Sequence, residues 1–272
     1  VRTPATADSL GLCLTGQNNR KMNATILNAP ILISCKTPFM QLFKTILQDT
    51  LHLFYPHTCT GCGSDILHKE NLLCINCIND LPHTHFAQHA NNPVDKIFWG
   101  RAALNAAHSE FYFSKGSLIQ HLIHQLKYKG DKNIGFYLGQ LMGKSLLNSN
   151  RFLYIDAIIP LPLFPHKEHK RGYNQATVIS NGIASVMNIA VKNNNVCRKR
   201  FTETQTKKHR AERWENVAES FVVNDPCALQ EKHILLVDDV ITTGATLEAC
   251  AQAILSIKGV KLSIATLALA TK

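Results

Sequence analysis

The stretch from Ile234 to Thr246 holds the residue types best suited to chemistry: Ile-Leu-Leu-Val-Asp-Asp-Val-Ile-Thr-Thr-Gly-Ala-Thr. Its apolar beginning has the unbroken character of a parallel strand covered on both faces. Asp238 and Asp239 end that run, and a turn of Thr242, Thr243, Gly244, Ala245 and Thr246 leads into a helical pattern. Unpaired amide N–H groups at a helix start, with the positive end of its dipole, bind anions. The threonines add hydroxyl donors, and Gly244 lets the backbone curl around a phosphate. Two carboxylates beside a phosphate repel it unless they meet donors of their own, which ribose hydroxyls supply. The expected chemistry is the grip of a sugar phosphate, amides on the phosphate and carboxylates on the sugar.

Other readings of the same residues compete with this one. The segment is also readable as an ordinary strand–turn–helix whose aspartates cap the helix, or as a strand ending in a phospho-acceptor Asp or a Walker B acid. A Walker B strand needs a P-loop. The nearest string, Gly139-Gln140-Leu141-Met142-Gly143-Lys144-Ser145, is one residue short of that spacing and lies inside an apolar helical pattern.

A second chemistry-bearing group is formed by Cys59-x-x-Cys62 and Cys74-x-x-Cys77, eleven residues apart. Four thiolates make a closed tetrahedral Zn²⁺ site, structural rather than catalytic, and such a metal stabilises a small module. Gly61 and Gly63 permit the tight turn around the ion, and His57 and His68 are near enough in sequence to substitute as ligands. Plain structural or redox thiols are the alternative. The chain has nine cysteines in all. An odd total, mostly isolated and without a secretory signal, points to a reducing, cytoplasmic setting and against a disulfide scaffold.

Alternating strands and helices must position these groups. Apolar residues recur at helical spacing from Met40 to about Tyr55, and residues 79–97 read as a linker or irregular loop. A strand is expected at 107–113, and Ser117 caps a helix with Leu118, Leu122 and Leu126 on one face. A second helix covers 133–147, and a strand covers 154–159. A basic loop, 166–172, precedes a helix from about Asn174, and Leu247, Cys250, Ile254 and Ile257 stripe another before a last strand at 261–270. The pattern predicts a doubly wound α/β fold with a parallel sheet. Residues 192–213 hold eight Lys and Arg against two Glu. That stretch is readable as a loop over the site, a solvated face or a nucleic-acid patch.

At 272 residues, 45% apolar and 18% charged, the chain has the profile of a soluble protein with one large domain and a small module. No apolar run reaches the ~18 residues of a membrane span. The formal charge of +10 favours anionic partners, phosphorylated small molecules or nucleic acid, without choosing between them. Residues 1–39 show no sustained period and no signal-peptide pattern. Since the chain opens on Val1, we expect Met40 to be the native start and 1–39 a non-native or disordered extension. The expected division is then 40–95 for a helix plus zinc ribbon and 96–272 for the large domain.

The phosphate segment resembles the motif that binds 5-phosphoribosyl-1-pyrophosphate (PRPP) in type I phosphoribosyltransferases. Three further stretches narrow the resemblance to the ComF family of competence-associated proteins. Leu126-Lys127-Tyr128-Lys129-Gly130-Asp131 is similar to its "LKYxGD" turn, and Arg171-Gly172-Tyr173-Asn174-Gln175-Ala176 to its "RGFNQA" motif. Thr202-Glu203-Thr204-Gln205 with Arg213, Asn216 and Val217 resembles its "TxxQ…RxxNV" loop, and the cysteine pairs stand where its zinc ribbon stands. The resemblance implies a type I phosphoribosyltransferase-like sheet and the transfer of a phosphoribosyl group. By that likeness Asp238 and Asp239 hold the ribose hydroxyls, and Thr242, Thr243, Gly244, Ala245 and Thr246 hold the 5′-phosphate. Arg171 and Gly172 belong to a pyrophosphate-contacting loop, and residues 197–216, with Arg200, Thr202, Gln205, Arg213 and Asn216, form the loop that closes over the site. Mg²⁺ would arrive with PRPP, while Zn²⁺ on Cys59, Cys62, Cys74 and Cys77 is structural. Some relatives carry a further cysteine pair where this chain has His83, His85 and His89; one zinc site is expected here. Two further readings of the resemblance stay open, a nucleotide-binding protein without turnover and an accessory to DNA uptake.

Overall fold

The computed structural model describes residues 57–65, 71–198 and 221–270. The expected extension 1–39, the helix from Met40 and most of the basic loop fall outside the described residues.

Strand β6 (His233–Ile241) is the centre of the fold, because its apolar residues bury both faces. Ile234 and Leu236 face one core cluster, with Leu247, Cys250 and Ile254 of helix α7 (Ala245–Leu255). Leu235 and Val237 face the other, with Leu122, Leu126, Leu138 and Ile179. Helices therefore cover both sides, as expected for a parallel sheet. Around β6 stand β1 (Ala106–Phe113), β7 (Lys261–Ala270), β2 (Ala157–Pro160) and β3 (Ala190–Val191). Their order is β1-β7-β6-β2-β3, and every neighbouring pair is parallel.

Helix α3 (Leu118–His124) runs on into a π-helical turn, Gln125–Lys129, and is followed by α4 (Lys132–Leu147) and, after β2, by α6 (Gln175–Met187). Glycines bring α4 and α6 into backbone contact: a Cβ on Gly139 would overlap the Ile179 carbonyl, and one on Gly182 the Phe136 carbonyl. The string that nearly spells a P-loop is thus a helix–helix contact.

Three elements differ from the sequence expectation. The β2 strand begins at Ala157, not 154, because Tyr154 is held at φ 59° and Asp156 already spends its N–H on the His233 carbonyl. The basic segment expected as a loop is a helix, α5 (Pro165–Arg171). Six polar or charged residues after Pro165, with none of the seven buried, leave no apolar period to read. The short α1 (Ile75–Asn79) starts inside the second cysteine pair, and most of the stretch 79–97 expected to be irregular is so, but α2 (Pro93–Phe98) lies at its end. Asn92 and Asp95 form a capping box at α2, and Pro93 occupies its first turn.

Candidate functional site

Strand β6 delivers both carboxylates to the carboxyl edge of the sheet, the side on which ligands bind in open α/β folds. Pairing with β7 continues to Ile241 opposite Leu269, so the acids sit inside the strand rather than after it. Asp238 Oδ1 accepts the Asp239 N–H at 2.8 Å. Burial, and then the adjacent Asp239 charge, push the Asp238 carboxyl up to about 8, against the pull of Lys127 and Arg198.

Asp239 meets Lys127, whose Nζ lies 2.9 Å from its Oδ2. Lys127 sits in the π-helical turn, which ends at Gly130 with φ 75°. Such turns are uncommon and gather at functional sites. The sequence marks a turn at "LKYKG" but not its π-helical form, and Lys127 was not among the expected site residues. Between it and α5 opens a cavity of about 650 Å³ lined by Lys127, Lys129, His166, Lys167, Lys170 and Arg171. Arg171 stacks over the Tyr128 ring at 5.5 Å and donates from Nη1 to Gln175 Oε1 at 2.6 Å. Gly172, at φ 77°, ends α5.

After Ile241 the turn leaves Thr242 and Thr243 exposed and Ala245 and Thr246 half-buried. Helix α7 starts with no side-chain cap. Gly244 is buried at φ 74°, and a Cβ there would stand 2.7 Å from Ile97 Cγ2. Glycine is therefore required both by the left-handed backbone and by the packing of α2 against the turn. Arg101, just past α2, also meets the turn: Nη1 donates to the Thr243 carbonyl at 2.9 Å and to the Ile97 carbonyl at 3.0 Å. Its Nε and Nη2 engage Glu248 Oε2, the former at 3.0 Å.

Strands β4 (Val196–Arg198) and β5 (Phe221–Val223) pair antiparallel and form the stem of the segment between them. Arg198 stacks on Phe164 at 3.5 Å and on Phe221 at 5.1 Å. Burial lowers its pKa, against the opposing pull of the Asp238 carboxyl. The expected loop residues Arg200, Thr202, Gln205, Arg213 and Asn216 lie outside the described residues.

The ligand atoms of Cys59, Cys62, Cys74 and Cys77 all lie within 4.8 Å of one another. Cys62 and Cys74 Sγ are 3.7 Å apart, close to the ~3.8 Å edge of a tetrahedron with Zn–S bonds of about 2.3 Å. Amides already turn toward the sulfurs: Gly61 and Cys74 donate to Cys59 Sγ at 3.4 and 3.2 Å. The Ser64 hydroxyl holds the Cys62 thiol down, at about 6. The cluster fits a four-coordinate metal such as zinc. Among the described residues it is the one group of three or more His, Cys, Asp or Glu placed to hold an ion. His83 is otherwise engaged, 2.8 Å from the buried Glu110 and stacked on His85. No helix among the described residues is long and apolar enough to cross a membrane.

Residues 174–272 match the family described as Phosphoribosyl transferase domain. Competence protein F of Haemophilus influenzae is 27% identical over 205 residues, covering 71% of this chain and 89% of that protein. These matches support the resemblance to the ComF family. The fold of the chain is that of a type I phosphoribosyltransferase domain, five parallel strands flanked by helices, with a cysteine cluster that fits a zinc ribbon. Another relative is DNA utilization protein YhgH of Escherichia coli (strain K12), 31% identical over 137 residues. That match spans 49% of this chain and 60% of the relative. Adenine phosphoribosyltransferase of Leishmania tarentolae aligns over 70% of this chain and 94% of its own, at 8% identity and a TM-score of 0.34, too low to carry weight.

Proposed function

We propose that this chain binds PRPP, or a ribose 5-phosphate nucleotide, and transfers a phosphoribosyl group to or from an acceptor. One observation carries the reading: the Asp238–Asp239 pair stands between an uncapped helix start on one side and, through Lys127, a basic cavity on the other. A sugar with an anion at each end matches that sequence of acceptors and donors. Asp238 and Asp239 take the ribose hydroxyls, and the amides and hydroxyls of Thr242 to Thr246 take the 5′-phosphate. Lys127 and Arg171 take the diphosphate, which carries its Mg²⁺ in with it.

The chemistry needs no protein nucleophile. As the bond from C1 to the diphosphate breaks, charge moves onto the departing oxygens, and Lys127 and Arg171 stabilise it there. Such a reaction also needs water kept from C1, since water would otherwise hydrolyse the sugar. Titration calorimetry of PRPP with Mg²⁺ tests the binding, and diphosphate release in the presence of candidate acceptors tests turnover. We expect PRPP to bind and Asp239→Asn to weaken it. A folded protein that takes up neither PRPP nor any nucleoside monophosphate refutes the reading.

The exposed Tyr128, flanked by Lys127, Lys129 and Arg171, favours a second role in handling nucleic acid. The names of the relatives, Competence protein F and DNA utilization protein, point the same way. That role predicts salt-sensitive DNA binding that survives Asp239→Asn.

A further inference from the structure

We propose that Arg101 is a positioning residue for the phosphate-binding turn, setting the direction of the Gly244 amide. This rests on the reading of that turn as the 5′-phosphate site. Helix α2 ends at Phe98, and Gly100, at φ 72°, turns the chain so that the Arg101 N–H bonds the Phe98 carbonyl at 2.9 Å. The guanidinium then reaches three acceptors at once: the Ile97 carbonyl, the Thr243 carbonyl and the Glu248 carboxylate in the first turn of α7.

The Thr243 contact decides the geometry. In a trans peptide the C=O and the following N–H point in opposite directions. Drawing the Thr243 oxygen toward Arg101 therefore turns the Gly244 N–H away from Arg101. A phosphate held by backbone amides depends on such alignment, since each N–H bond to an anion is directional. Glu248 neutralises the guanidinium, so the contribution of Arg101 is orientation rather than long-range attraction. Only a planar fork can join these acceptors; a lysine keeps the ion pair but not the bridge.

The test uses the full chain, with ribose 5-phosphate and inorganic diphosphate as separate probes in titration calorimetry. Arg101→Lys keeps the charge opposite Glu248. It is expected to weaken ribose 5-phosphate roughly ten- to a hundredfold, the cost of one misdirected bond to a charged group. Diphosphate, held by the cavity at Lys127 and Arg171, is expected to change less than about twofold. Arg101→Gln is the second variant, and a thermal melt of each confirms the fold. Unchanged ribose 5-phosphate affinity in a folded variant overturns the proposal, as does an equal loss of both probes, which marks a general structural role. If the unaltered chain binds diphosphate but not ribose 5-phosphate, the reading of the turn fails and the proposal goes with it.

Discussion

Asp238→Asn should stabilise the protein, and increasingly so as the pH rises. The Asp238 carboxyl titrates near 8 rather than 3.8, because burial and the neighbouring Asp239 both disfavour its charge. A group whose folded pKa is raised contributes stability that is complete below the unfolded value and lost as the pH climbs through the folded one. The window here runs from about pH 4 to about pH 8. At about 1.4 kcal/mol per pKa unit the full span is roughly 6 kcal/mol. Asp238 keeps some contact with solvent and shares its titration with Asp239, so about 2–4 kcal/mol is the working figure. Asparagine retains an oxygen to accept the Asp239 N–H, and most other ionisations cancel when variant and parent are compared. In a domain of this size each kcal/mol moves Tm by about 2–4 °C. The variant should therefore melt about 5–10 °C above the parent at pH 8 and nearly with it at pH 4.5. Melting curves at half-unit intervals of pH decide the matter. Parallel curves across the window would show that the carboxylate is not held against its solvation, and the account of the site electrostatics would fall.

Three further outcomes are expected. Lys127→Met should weaken PRPP about tenfold but change ribose 5-phosphate less than about threefold in calorimetry, since Lys127 lies at the mouth of the basic cavity. Gly61→Ala should lower zinc retention, read by metal analysis after dialysis against a chelator. Its Cβ would stand 2.8 Å from Cys77 Sγ and 3.0 Å from Leu118 Cδ1. Gly182→Ala should cost about 3 kcal/mol or more in urea unfolding, because its methyl meets the Phe136 carbonyl and neither helix can withdraw without opening the core.

What the sequence disclosed follows the range of each signal. The run Ile234 to Val237, the acids and the hydroxyl-rich turn are contiguous, so strand, turn and helix start could be read in place. The cysteine pairs were legible for the same reason, since the spacing within each pair and the glycine beside it are local. Helix α5 was missed because an exposed helix of seven residues has no apolar stripe. Helix α2 is a different kind of miss: Asn92, Pro93 and Asp95 spell its start, but one turn and a half is too short for periodicity to speak.

The site itself divides along the same line. The candidate residues of the contiguous turn could be named from the sequence alone and Arg171 from the resemblance, whereas Arg101 and Lys127 could not. Arg101 lies 147 positions from Glu248, and Lys127 meets Asp239 only because a π-helical turn carries it there. Lys127 is a cation set beside the strand acids, and Arg101 is one set beside the turn that follows them. A one-dimensional reading counts them merely as part of a net charge of +10. On the proposed reading Arg101, tied to Glu248, is used for shape, and Lys127, which lines the basic cavity, is used for charge. Net charge alone therefore cannot separate a phosphate site from a nucleic-acid surface, but the partner of each cation can. A cation already neutralised by its own carboxylate contributes little to salt-dependent binding, while one whose carboxylate has a competing ligand is released when that ligand arrives. On the proposed reading Asp239 is such a carboxylate, and the Lys127 pair is where occupancy of the sugar site and availability of the basic cavity would meet.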